Sequence, residues 1–139
     1  MKAADASNQY TLVVDGTHWG PRAAPMTAAA AVIKSDADDF EAKVRMSLPR
    51  DMTNNESDFC ALILGLAAAQ QLGVRKLVAQ TDNDIVVLAC MWGMSVKEPH
   101  LYVYRHFAVE LFGCFESFEL QQVDKKEIEG AKALARTVG

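Results

Sequence analysis

The run Tyr10-Thr11-Leu12-Val13-Val14-Asp15-Gly16 decides how this chain is read. Five apolar or β-branched residues in a row, closed by an acid and a glycine, describe a strand buried on both faces. Downstream, residues 16–25 carry Gly, Pro and polar side chains and read as a loop. Met26 to Lys34 is apolar and suits a second strand. Its Ala28 to Ala31 stretch is the longest low-complexity feature and is too short to define a segment. Asp36 to Asp39 is a charged turn, and Phe40 to Leu48 alternates weakly around Ala42, Val44 and Met46, as a half-buried strand does. Three strands joined by connections of turn length predict an antiparallel meander. Upstream, residues 1–9 are polar and small, without an apolar signal core, and are expected to be disordered. The domain is then 10–139.

Beyond Leu48 the period changes. Phe59, Leu62, Ile63 and Leu66 recur at helical spacing, with Thr53 or Asn54 available as a cap and Gly73 as a stop. Lys76 to Gln80 is a short strand followed by Thr81-Asp82-Asn83. Ile85 to Cys90 reads as a helix that starts near Asn83 or Asp84. Pro99 opens another, running to about Gly113 and expected to be mostly core, with Leu101, Tyr104, Phe107, Ala108 and Leu111 on one stripe. Phe115 to Val123 is a fifth strand, and Lys126 to Val138 a closing helix with Ile128, Ala131, Leu134 and Ala135 inward. The order is βββ-α-β-α-α-β-α, an α/β domain with a five-stranded mixed sheet whose first three strands are antiparallel, flanked by helices.

This order, with acids at strand and helix ends, resembles type 1 ribonuclease H over nearly the whole chain. Five pieces carry the likeness: VVDG (Val13 to Gly16); TNNESDFCALILGL (Thr53 to Leu66), similar to the family's Thr-Asn-Asn-x-x-Glu helix start; TDNDIVV (Thr81 to Val87), similar to Asp-Ser-x-x-Val-Val; VKEPHL (Val96 to Leu101) followed by FESFEL (Phe115 to Leu120); and the Ala131-Lys132-Ala133-Leu134-Ala135 ending. The resemblance implies a ribonuclease H-like fold and cleavage of the RNA strand of RNA/DNA hybrids. It implies a site in which carboxylates hold Mg²⁺ or Mn²⁺, hard ions that want oxygen ligands. Asp15, Asp58 and Asp82 are its catalytic and metal-binding residues by this correspondence. Gly16, Thr53, Asn54 and Asn55 are its nucleic-acid contacts, with helix capping as the structural alternative for Thr53 and the two asparagines.

The second carboxylate requires a choice between Glu56 and Asp58. They lie roughly 200° apart around a helix, so only one faces the site, and Asp58 adjoins the apolar stripe of Phe59 and Leu62. Asp is one methylene shorter than the family's Glu. The family's fourth carboxylate falls on Lys132, its loop His on Gln122 and its loop Asn on Ile128; Glu129, one turn before Lys132, offers a partial substitute in a different direction. One ion is therefore expected to be held and the second poorly. These departures leave a weakened ribonuclease beside a second possibility, a pseudo-enzyme that serves as a nucleic-acid-binding or protein-interaction module. Trp92 stands one position off the family's stacking aromatic and reads as an ordinary core or surface residue.

Composition bounds these readings. The chain has 139 residues, half of them hydrophobic, with a formal net charge of −4. That charge does not favour a phosphate-binding partner, although a local basic patch is compatible with it. Lys125, Lys126, Lys132 and Arg136 form such a run, read by default as a solvated helix face. Cys60, Cys90 and Cys114 have no zinc-type spacing and are expected to stay reduced, as in the cytoplasm or another reducing intracellular compartment. No stretch is long and apolar enough to span a membrane. The expected partner is an RNA/DNA hybrid or a double-stranded nucleic acid, with a protein partner as the alternative.

Overall fold

The computed structural model describes residues 3–92 and 98–138. Val96 and Lys97 of the VKEPHL stretch lie outside them, as do Met1 and Lys2. Strands β1 (Gln9–Trp19), β2 (Met26–Ser35) and β3 (Glu41–Ser47) come first. Helix α1 (Asn54–Gln71), strand β4 (Lys76–Thr81), helices α2 (Asp84–Trp92) and α3 (Leu101–Phe112), strand β5 (Ser117–Gln122), a 3₁₀ turn (Lys125–Ile128) and helix α4 (Glu129–Ala135) follow. The sheet order is β3-β2-β1-β4-β5. The first three strands form the expected antiparallel meander, while β4 joins β1, and β5 joins β4, in parallel. Parallel neighbours need crossovers, which α1 and the α2–α3 pair supply. Among the described residues, no helix is long and apolar enough to cross a membrane.

Strand alternation divides the two faces. Tyr10, Leu12 and Val14, with Ala29, Ala31 and Ile33, pack under Phe59, Leu62 and Leu66 of α1. On the other face Ala28 and Ala30 meet Ala135 of α4, with Trp19 and Leu134 at the margin. The alanine stretch therefore has a structural role that its length does not advertise. Four small residues in the middle of β2 let helices approach from both sides. A Cβ on Gly65 of α1 would lie 2.6 Å from Leu12 Cδ1 and 3.0 Å from Ala31 Cβ.

Two boundaries and the burial of one helix differ from the expectation. β1 does not end at Asp15. It continues to Trp19 because β2 offers it a partner at every step, from Gly16↔Ala29 to Trp19↔Met26. The connection shrinks to residues 20–25, where Gly20 takes φ +92°. The closing helix is shorter than expected, because its first turn is 3₁₀. α3 is not mostly core. Leu101 and Ala108 are buried, but Phe107 is 56% exposed and Val103 59%. α3 rests on α1 and α2 and reaches the sheet through its last residue, Phe112, stacked on Phe118. A helix lying on helices buries a narrower stripe than one lying on a sheet.

β1 lies close against the start of α1 at Gly16. A Cβ on Gly16 would lie 2.3 Å from Ser57 C and 2.6 Å from Asp58 N, both backbone atoms. Backbone cannot swing aside as a flexible side chain can, so Gly16→Ala must push α1 away from the strand. We expect a loss of about 2 kcal/mol or more, in the upper part of the overpacking range, read as a lower urea midpoint with an unchanged slope. An unaltered midpoint would show that α1 slides without cost.

Candidate metal and nucleic-acid site

Each acid is placed by a different element. Asp15 lies in β1, Asp58 in the second turn of α1, and Asp82 just past the end of β4. β4 pairs with β1 only as far as Val13↔Gln80, so the β1 edge is free of strand partners beyond that point. The Gly16 amide there donates to Asp58 Oδ1 at 2.8 Å. One ligand-type oxygen from each of Asp15, Asp58 and Asp82 lies within 4.8 Å of the others. Asp15 and Asp58 are buried, at 6% and 7% exposure.

The acid after Asn-Asn is turned elsewhere. Glu56 closes a capping box with Thr53: Thr53 Oγ1 accepts from the Glu56 amide, and Glu56 Oε1 accepts from the Thr53 amide. The other Glu56 oxygen lies 3.6 Å from His100 Nε2 and accepts from the Tyr104 hydroxyl at 3.3 Å. Thr53 caps α1 and donates its hydroxyl to Glu98 at 3.3 Å. Gly16, Asn54 and Asn55 line the cleft that holds the aspartates, whereas Thr53 stands outside it.

The cleft also contains groups that the sequence reading did not place there. Lys125, Lys132 and Arg136 line it, so these three are not a plain solvated face. The spacing of Lys132 and Arg136 already puts them on one side of a helix, flanking the buried Ala131 and Ala135. His18, expected in a loop, lines the cleft because β1 runs on; its Nδ1 lies 3.0 Å from Thr27 Oγ1. Asn83 does more than begin α2. Its Oδ1 accepts from the Ile85 amide at 2.9 Å, while its Nδ2 donates to Asp58 Oδ2 and to Asn55 Oδ1, each at 2.9 Å. Gln122 and Glu129 stand outside the cleft, and Ile128 is buried in the core. Trp92 is 74% exposed at the end of α2.

The electrostatics are those of an acid cluster without its counter-charge. Burial pushes the Asp15 carboxyl up to about 8, with further push from the charges of Asp58 and Asp82; Lys132 and Arg136 pull it down in part. Burial also raises Asp58, to about 6, against the hydrogen bonds from Asn83 and Gly16 that favour its charged form. Asp15 Oδ2 is buried with no hydrogen-bond partner. An orphaned carboxylate oxygen beside two more acids fits a hard divalent cation, which would supply the missing positive charge. Mg²⁺ or Mn²⁺ suits this all-oxygen set.

Comparison with known proteins agrees with the geometry. RNase H1 from the halophilic archaeon Halobacterium salinarum NRC-1 superposes with a TM-score of 0.82 at 25% identity, over 92% of this chain and 95% of that one. The N-terminal RNase H domain of rv2228c from Mycobacterium tuberculosis, solved as a maltose-binding-protein fusion, gives 0.80 at 25% identity, over 93% and 91%. LC11-RNase H1, solved in complex with an RNA/DNA hybrid, gives 0.72 at 18% identity over 91% and 94%, a likeness of fold. No curated protein matches the sequence. The fold is ribonuclease H-like, and the sequence matches the family described as reverse transcriptase-like over residues 14–138; the chain belongs to that family.

Proposed function

We propose that this protein is a metal-dependent hydrolase of the RNA strand of RNA/DNA hybrids, weakened by the loss of one carboxylate. The observation that carries the reading is the convergence of Asp15, Asp58 and Asp82, with Asp15 Oδ2 buried and unpartnered. These three residues would hold one Mg²⁺ or Mn²⁺. A bound ion would supply Lewis-acid polarisation of a phosphoryl oxygen and of the attacking water. The chain's own part is to orient the carboxylates and to fix the nucleic acid. Gly16 and Asn83 hold the two Asp58 oxygens. Gly16, Asn54 and Asn55 line the wall along which a hybrid's sugars and phosphates would lie, and Thr53 sets the start of α1 beneath them.

In this reading Lys132 takes the place of a fourth carboxylate. An ammonium cannot ligate a metal ion and repels one, so a second ion is poorly held. The cationic wall of Lys125, Lys132 and Arg136 favours a second reading, in which the domain binds nucleic acid and cuts nothing. Phosphate oxygens suit such a wall, and binding through it would weaken steeply with salt.

A labelled RNA/DNA hybrid incubated with the protein in Mg²⁺ and in Mn²⁺, beside Asp15→Asn, decides between the readings. We expect slow cleavage, faster in Mn²⁺ and lost in Asp15→Asn. Binding without cleavage in either metal would leave the binding reading alone, and neither at low salt would remove nucleic acid from the account. A pH series gives a second expectation. Asp15 is protonated in the metal-free fold up to about 8 but ionised above about 4 in the unfolded chain. The fold therefore binds the extra proton between those values, and metal-free stability falls as pH rises through that window. Asp15→Asn should flatten the fall. Mn²⁺ affinity should climb over the same range, because the ion displaces the proton. Calorimetric melts with and without Mn²⁺ would check both trends, and a metal-free protein that grows more stable from pH 5 to 8 would contradict the assignment.

A further inference from the structure

Two asparagines join the carboxylate cleft to the segment that precedes α3. Asn83 Nδ2 donates at 2.9 Å to Asp58 Oδ2 and at 2.9 Å to Asn55 Oδ1. Asn55 Nδ2 in turn donates at 3.2 Å to Glu98 Oε1. The second Glu98 oxygen lies 3.3 Å from His100 Nε2 and accepts from Thr53 Oγ1 at 3.3 Å. The asparagine donors run outward from the amide of Asn83, to Asp58 on one side and, through Asn55, to Glu98 on the other. Both ends of the Asn55 side chain are already engaged inside the protein.

We infer that Asn83 and Asn55 are positioning residues, and that together they form a relay fixing Asp58 for metal binding and tying that position to Glu98. The physical need is plain. The Asp58 carboxylate is tethered by a single backbone amide, from Gly16, at its Oδ1. Without a second tether its plane is free to turn about that contact. Asn83 supplies the tether, and an amide side chain is itself free to rotate unless its other contacts fix it. The Asn83 Oδ1 is fixed by the Ile85 amide, and its Nδ2 by Asn55, whose orientation depends on Glu98. Outer groups that orient a metal ligand change affinity by roughly 10- to 100-fold.

The inference rests on the metal reading above and is tested by Mn²⁺ affinity, not by cleavage. Titration calorimetry and the electron paramagnetic resonance signal of bound Mn²⁺ give the dissociation constant, and metal-free melts report the fold. Asn83→Ala should weaken Mn²⁺ binding by about 10-fold or more. Asn55→Ala touches none of the three aspartates, yet should weaken it by roughly 3- to 10-fold with little change in the metal-free melt. The two losses should not add in the double variant, because one series is broken twice. Asn55→Asp sets two carboxylates face to face and should weaken binding as Asn55→Ala does. Adding Glu98→Gln reverses the donor: the new amide at 98 donates to the new carboxylate at 55, which still accepts from Asn83, and affinity should return. Unchanged affinity in Asn55→Ala, additive losses, or no recovery in the swapped pair would overturn the relay while leaving the metal site standing. Absence of Mn²⁺ binding by the unsubstituted protein would remove both.

Discussion

A glycine without a side chain at position 16 allows the start of α1 to lie directly on the backbone of β1, and the geometry of the cleft follows from that contact. The separation is fixed by main-chain atoms on both sides, so it is stiff in a way that side-chain packing is not. It places Asp58 against the side of β1 that β4 leaves uncovered, where the Gly16 amide becomes a tether for the carboxylate. That side is uncovered because β4 stops at Thr81 and the chain turns into α2, which brings Asp82 and Asn83 to the opening. Strand ending, helix start and acid placement are thus one event seen from three elements.

Much of the fold was readable because its signals are local. The β-branched run of β1, the helical spacing from Phe59 to Leu66 and the stop at Gly73 need no knowledge of the rest of the molecule. The three acids were readable for a different reason. Each sits in a short motif of fixed order, so their convergence could be expected before any distance was known. What escaped depends on partners distant in sequence. The extension of β1 to Trp19 is dictated by pairing with β2, because residues 16–19 read alone as a loop. The exposure of Phe107 depends on α3 lying against helices, which periodicity does not reveal. Asn83 looked like a helix cap and is one; its second role exists only because Asp58 and Asn55 arrive from another element.

The cleft brings opposite charges together without neutralising them. Asp15, Asp58 and Asp82, with Asp84 at the start of α2, stand on one side, and Lys125, Lys132 and Arg136 on the wall formed by the 3₁₀ turn and α4. At Asp15, burial together with the charges of Asp58 and Asp82 outweighs the pull of Lys132 and Arg136. In the metal-free state the cleft therefore carries less negative charge than its composition suggests, and part of it is restored only when a cation displaces the proton. A long polymer of phosphates meeting this surface would find positive charge on one side and a proton-bearing acid cluster on the other.

α3 has a consequence of its own. It stands on α1 and α2 and meets the sheet at its tip, with few residues fully covered along its length. Elements held in that manner open at lower free energy than the sheet they flank. The protein is then mechanically uneven. The strands, packed between α1 and α4, carry Asp15 and lead into Asp82, whereas the helix that starts directly after His100 rests on other helices.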